Sequence, residues 1–383
     1  LDNTMSGCSF HCATDYNACS QAQLFCGDYE DSGEPCVADC TAPGDNCKDA
    51  KLFCGHDHDC TLKTTSGKNM EVTCPGRKSL DAPVQQLACK VECDTGQYAC
   101  MALQVFSPDP TVPLSVSVIN SGGQYSLQGA NIQCPSSNTC EVDLGETLIQ
   151  QYAGEQLKVD GGYNAEVTVR AGQGSSSMSN AEIECSDFAQ CVIRCNPGLQ
   201  YACSNLKVNQ NKDPLLGRQY GSLKIAHTAG VGGAKNGQLF LKDAAIDCPT
   251  DGDCSVECGL GQYACKNMKI QCPTPPHVCV VKNTLHASTD VMTGCASPQA
   301  VQASTTPVLF NIYCKDRQCP NNPAYHNKCW QHKTQLAVSK PKTDCRAQND
   351  EVWCGCPDGT YNKKLPSDGN HECIACPAGC TRC

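Results

Sequence analysis

Residues 244 to 272 read AAIDCPTDGDCSVECGLGQYACKNMKIQC. Ala244, Ile246 and Cys248 alternate with polar residues, turn residues follow, and Cys254, Val256 and Cys258 alternate in turn. A Gly-Gln-Tyr-Ala-Cys turn ends at Cys265, and Met268, Ile270 and Cys272 then restart the first run. Side chains at i, i+2 and i+4 share one face of a strand, so each run has a face of small apolar residues and cysteine and a polar face. A unit this short cannot bury that face alone, and its recurrence predicts a stacked solenoid.

Working outward, Cys-x3-Cys-x6/7-Cys occurs as Cys8/Cys12/Cys19, Cys36/Cys40/Cys47, Cys89/Cys93/Cys100, Cys191/Cys195/Cys203 and Cys254/Cys258/Cys265. Three copies carry Gln-Tyr-Ala-Cys, with Tyr98, Tyr201 and Tyr263 preceded by Gly96, Gly198 and Gly261. Those glycines are expected to supply a positive φ to the turn. The other half of the unit recurs from Ala22, Ala50, Met70, Leu103, Ala130, Leu157, Ala181, Leu206, Leu223, Ala244 and Met268. These steps fit the coil of a parallel β-helix with Gly, Pro, Asn and Asp at the corners, and roughly ten to twelve coils are expected. The fold class is therefore all-β: a disulfide-rich parallel β-helix over 1–313, followed by a small Cys-rich, EGF-like tail over 314–383. On the outer face Asp39, Lys63 and Glu92 alternate in sign over successive coils, as do Glu257 and Lys282, giving either a modest charge ladder or a mixed solvated face.

The 383 residues contain 36 cysteines, about 9%, against nine histidines and 5% aromatics. A core of small aliphatics and half-cystine needs covalent bracing, and bracing of this density implies an oxidising compartment. The chain is expected to be a processed, mature one that is extracellular, either secreted or held at a cell or flagellar surface. A net charge of −10 disfavours nucleic acid and anionic membranes as partners, and no apolar run is long enough for a membrane span.

Closing each corner locally suggests two sets of disulfides. One set is Cys26–Cys36, Cys54–Cys60, Cys74–Cys89, Cys134–Cys140, Cys185–Cys191, Cys248–Cys254 and Cys272–Cys279; the other is Cys12–Cys19, Cys40–Cys47, Cys93–Cys100, Cys195–Cys203 and Cys258–Cys265. Sequence alone leaves connectivity open. Before Cys314 this leaves Cys8 and Cys295, one near each end, as candidates for an inter-subunit bridge or for an irregular pairing at the caps.

Residues with catalytic character are few, so no catalytic residue, cofactor or metal is assigned. Cys54-Gly-His-Asp-His-Asp-Cys60 is the dense donor cluster, with His56, His58, Asp57 and Asp59, but it fills a slot taken elsewhere by ordinary polar corners. A polysaccharide-processing enzyme on a β-helix needs clustered outward carboxylates. The outward positions Asp39, Lys63, Glu92, Asp143, Arg194 and Glu257 are mixed in sign. Glycosylation signals are limited to the Asn-x-Cys form at Asn17, Asn138 and Asn327.

The tail, through Cys354-Gly-Cys-Pro-Asp-Gly-Thr-Tyr361 and Cys373-x2-Cys-Pro-x-Gly-Cys-x2-Cys383, resembles EGF-like or furin-like modules. Cys-x3-Cys…Gly-x-Tyr-Ala-Cys units followed by such a terminus resemble the tubular flagellar hair (mastigoneme) proteins of stramenopile algae. That resemblance implies an extracellular filament subunit that assembles end to end and laterally with copies of itself or related subunits. Glycans are a further candidate partner. A secreted adhesin or receptor-like ectodomain, and then a β-helix enzyme, are the alternatives.

Overall fold

In the computed structural model, backbone and side chains are described from Ser9 to Gln271 apart from 13–17, 27–34, 42–45, 57, 78–86, 95, 120–123, 146–150, 173, 187, 196–200, 211–220, 228–238, 250, 259–263 and the His227 side chain. Beyond Gln271 the backbone of the strands is described.

The alternating runs form two parallel sheets. The first stacks Ser9–His11, Cys36–Cys40, Cys60–Thr64, Cys89–Cys93, Leu114–Val118, Thr139–Asp143, Glu166–Arg170, Gln190–Cys195, Ser222–His227, Cys254–Cys258, Cys279–Asn283 and Val301–Ala303. The second stacks Gln23–Phe25, Lys51–Phe53, Glu71–Thr73, Gln104–Phe106, Asn131–Gln133, Lys158–Asp160, Glu182–Cys185, Lys207–Gln210, Ala245–Asp247, Met268–Gln271, Thr289–Thr293 and Phe310–Cys314. Cys329–Trp330 then joins the last of these antiparallel. Each strand pairs with its counterpart one coil away, as the period-two pattern requires. About seven coils, from Cys36 to Gln210, follow one another evenly. This regular part is shorter than the ten to twelve coils expected, because the segments at 211–220 and 228–238 lengthen the next two coils before the pairing continues. Two hairpins follow, Arg346–Gln348 with Glu351–Trp353 and Thr360–Lys364 with His371–Ala375.

Inward columns make the core. In the first sheet Leu62, Val91, Val116, Val142, Val169, Ile193, Ile225 and Val256 stack in register, each no more than 3% exposed. In the second Leu52, Val72, Val105, Ile132, Val159, Ile183, Val208, Ile246 and Ile270 do the same. Leu223 was expected to begin a second-sheet run. It lies instead in the first sheet, between Cys191 and Cys254, because the insertion before it displaces the count.

A third side, built of turns, closes each coil. Residues two apart there adopt positive φ: Cys100 and Ala102, Cys203 and Asn205, Leu241 and Asp243, Cys265 and Asn267. Each such conformation costs an L-residue roughly 1–2 kcal/mol, less for Asn and Asp. The cost is offset because the N–H then donates to a carbonyl of the neighbouring coil, as from Asn205 to Lys242 and from Asp243 to Lys266. Asn and Asp recur at the second position, and Asn69 to Asp49, Asn205 to Asn180 and Asn267 to Asp243 are side-chain hydrogen bonds of 2.9, 3.1 and 2.9 Å. Gly96 does not supply the positive φ expected of it. Its hydrogen faces the Thr65 carbonyl oxygen, where a Cβ would sit at 1.4 Å, so glycine is required there for close approach. Gly198 and Gly261 lie outside the described residues.

Candidate functional site: ladders on the outer faces

The third side carries a tyrosine ladder. Tyr98, Tyr125 and Tyr152 stack with ring centroids 5.3 Å apart at both steps and interplanar angles of 7° and 9°. The Lys68 ammonium lies 4.1 Å over the Tyr98 ring, and the Gln97 amide donates to Gln124 at 3.2 Å. Rings at this spacing attract through offset stacking, and the cation adds an electrostatic contact. Tyr125 and Tyr152 were missed in sequence because no cysteine follows them. The usable signal was the dipeptide Gln-Tyr, which recurs at 97–98, 124–125, 151–152, 200–201, 219–220 and 262–263.

On the first sheet, Asp39, Lys63 and Glu92 are in register, as are Glu257 and Lys282. Lys63 lies 3.4 Å from Glu92, which Lys90 also contacts, and His11 lies 3.5 Å from Asp39. Hydrogen bonding from Thr41 holds the Asp39 carboxyl below its usual range. Burial pushes Glu92 up, but Lys90 and Lys63 outweigh it and keep its carboxyl low. Asp143 pairs with Arg170 at 3.5 Å, and Arg170 also contacts Glu141. Arg194 stands exposed in register with Arg170.

The second sheet carries carboxylates that the sequence reading passed over. Asp160 and Glu184 oppose each other in register, and Glu182 shares the strand of Glu184. Burial first, then the charges of Asp160 and Glu182, push the Glu184 carboxyl up. At the adjoining corner Tyr163, 49% exposed, tilts against Phe188 at 4.9 Å. A carboxyl whose pKa is raised by burial and by neighbouring carboxylates is a kind of group that general acid–base chemistry uses.

The histidine corner is divided. His58 is buried with neither ring nitrogen hydrogen-bonded, His56 is exposed, and the Asp59 carboxylate accepts the Ala88 N–H at 2.8 Å. Asp57 lies outside the described residues. The group of donors close enough to hold a metal, among the described residues, is Cys12, Cys19 and Cys47, which are already in bridges.

The structure joins Cys12–Cys19, Cys26–Cys36, Cys40–Cys47, Cys54–Cys60, Cys74–Cys89 and Cys93–Cys100. It also joins Cys134–Cys140, Cys185–Cys191, Cys195–Cys203, Cys248–Cys254 and Cys258–Cys265. The pairing of Cys272 with Cys279 and the candidate junction residues Cys8 and Cys295 lie outside the described residues. Asn138, one of the Asn-x-Cys positions, donates its side-chain amide to the Thr111 carbonyl.

Fold and faces together define an all-β, disulfide-rich parallel β-solenoid. Among the described residues no helix is long and apolar enough to cross a membrane. Comparison of the chain with family models, curated proteins and solved structures finds no match.

Proposed function

We propose that this chain is an extracellular structural subunit, of the flagellar or cell-surface hair kind, that self-assembles into a filament with solenoids joined end to end and laterally. The observation that carries the reading is the edge of the two sheets: among the described residues Ser9–His11 and Gln23–Phe25 each pair on one side, and Phe25 is 56% exposed. A parallel edge with unpaired donors and acceptors templates another strand, and a head-to-tail contact between unlike ends generates an open fibre or a ring. At the other end Cys329–Trp330 covers the second sheet, so end-to-end joining would run through the first sheet at Val301–Ala303. The disulfide density fits an oxidising, extracellular setting.

Electron microscopy and sedimentation of the concentrated, non-reduced protein test the proposal. Fibres with an axial repeat near one solenoid length support it; a monomer at every concentration overturns it and favours the adhesin or receptor-like ectodomain. A second reading, a polysaccharide-processing enzyme, is favoured by the Asp160–Glu184 pair. It requires reducing ends to appear from a glycan substrate and to be lost in Glu184→Gln.

A further inference from the structure

The coils of Tyr125 and Tyr152 lack the half-cystines that close the corner before the third side in five other coils. Val118 with Leu127, and Leu144 with Gly154, stand there instead, all of them buried. This is also where the tyrosines stack.

We propose that Tyr125 and Tyr152 form an oxidative cross-linking site, at which a one-electron oxidant of the haem peroxidase and peroxide class joins the two rings as dityrosine. Each phenol loses one electron and its hydroxyl proton, leaving a neutral phenoxyl radical on each of two facing rings. The radicals combine through a carbon ortho to each oxygen, forming one C–C bond, and the hydrogen on each joined carbon moves to its oxygen to restore the phenol. The two electrons and two protons reduce one hydrogen peroxide to two waters. The product is lighter by two hydrogens.

Among the described residues, geometry selects the pair. The rings are held 5.3 Å apart and within 9° of parallel, so coupling needs the two side chains to turn locally out of the stack and no diffusional encounter. Both tyrosines are part-exposed, so each ring reaches the surface where an oxidant can meet it. Tyr98 also faces Tyr125, but the Lys68 ammonium over its ring makes removal of an electron from it harder. Tyr163 faces Phe188, which has no phenol to oxidise. Tyr201 is exposed, with Ser176 and Leu239 in the matching places of the adjoining coils.

The test treats the full, non-reduced chain at low concentration with a haem peroxidase and limiting hydrogen peroxide. Dityrosine fluorescence, gel mobility and peptide mass mapping are then read. The expected product runs as a monomer, fluoresces, and contains a peptide carrying Tyr125 joined to one carrying Tyr152. Tyr125→Phe keeps the stack and abolishes this intramolecular signal, whereas Tyr201→Phe leaves it intact; Tyr152→Phe serves if Tyr125→Phe does not fold. Unchanged fluorescence in Tyr125→Phe, or dityrosine found between molecules alone, overturns the proposal. A link confined to Tyr98 and Tyr125 overturns the choice of pair.

Discussion

Ser126 and Ser177 are fully buried, and neither hydroxyl has a hydrogen-bond partner. They share a column with the buried Ala99, Ala153, Ala202 and Phe240, so the hydroxyls are desolvated without return. Ser126→Ala is expected to stabilise the protein by about 1 kcal/mol in non-reducing thermal or urea melts. Asp109 shows the opposite situation. Its carboxylate accepts from the Arg77 N–H at 2.8 Å and guanidinium at 3.2 Å, and from the Thr111 N–H at 2.9 Å and hydroxyl at 2.7 Å. Burial pushes it up, but Thr111 and then Arg77 outweigh that and hold it below the ordinary range. Its stabilisation is therefore fully present above the unfolded carboxylate range and lost as pH falls through the folded value. Glu184 is raised, so its contribution has the reverse sign: stability is lost as pH rises through its folded value. Melts from about pH 3 to pH 7 should show Asp109→Asn flattening the acid limb, with a loss of about 1–3 kcal/mol near neutrality. Glu184→Gln should be stabilising near neutrality and without effect at the acid end.

At the scale of the coil, two replacements separate the covalent from the packing contribution of a corner. The neighbouring coil fills the places of Cys93 and Cys100 with Val118 and Leu127. Cys93→Val with Cys100→Leu should therefore preserve burial and lose the bridge alone, about 2–3 kcal/mol by chain entropy, read by urea denaturation. Gly96→Ala should cost more than an ordinary surface change, since its methyl meets the Thr65 carbonyl and the two coils must separate. The alternating strands, the cysteine corners and the stacked direction were legible because they depend on spacings within one coil. What was hidden depends on register between coils. The sheet of Leu223, the meeting of Asp160 with Glu184 and the ladder from Tyr98 to Tyr152 all join residues a full coil apart, across loops whose lengths differ. The close approach at Gly96 was hidden for the same reason: its neighbour is Thr65, in the preceding coil.

For the molecule as a whole, every described bridge is local. The eleven disulfides close segments of six to fifteen residues, whereas partners in register such as Leu62 and Val91 belong to successive coils. No described disulfide joins residues stacked in register on neighbouring coils; backbone hydrogen bonds and side-chain stacks hold those together. Pulled by its two ends along the axis, the solenoid should yield in a series of small, similar force peaks, since each coil can peel from its neighbour in turn. Each peel should release less chain than a bare coil contains, because a loop closed by sulfur stays shut under tension. Single-molecule extension with and without reductant would show the step length growing once the bridges are cut, while a single all-or-none rupture would contradict it. A body that gives way in short increments and keeps slack in reserve absorbs a sudden tug without snapping.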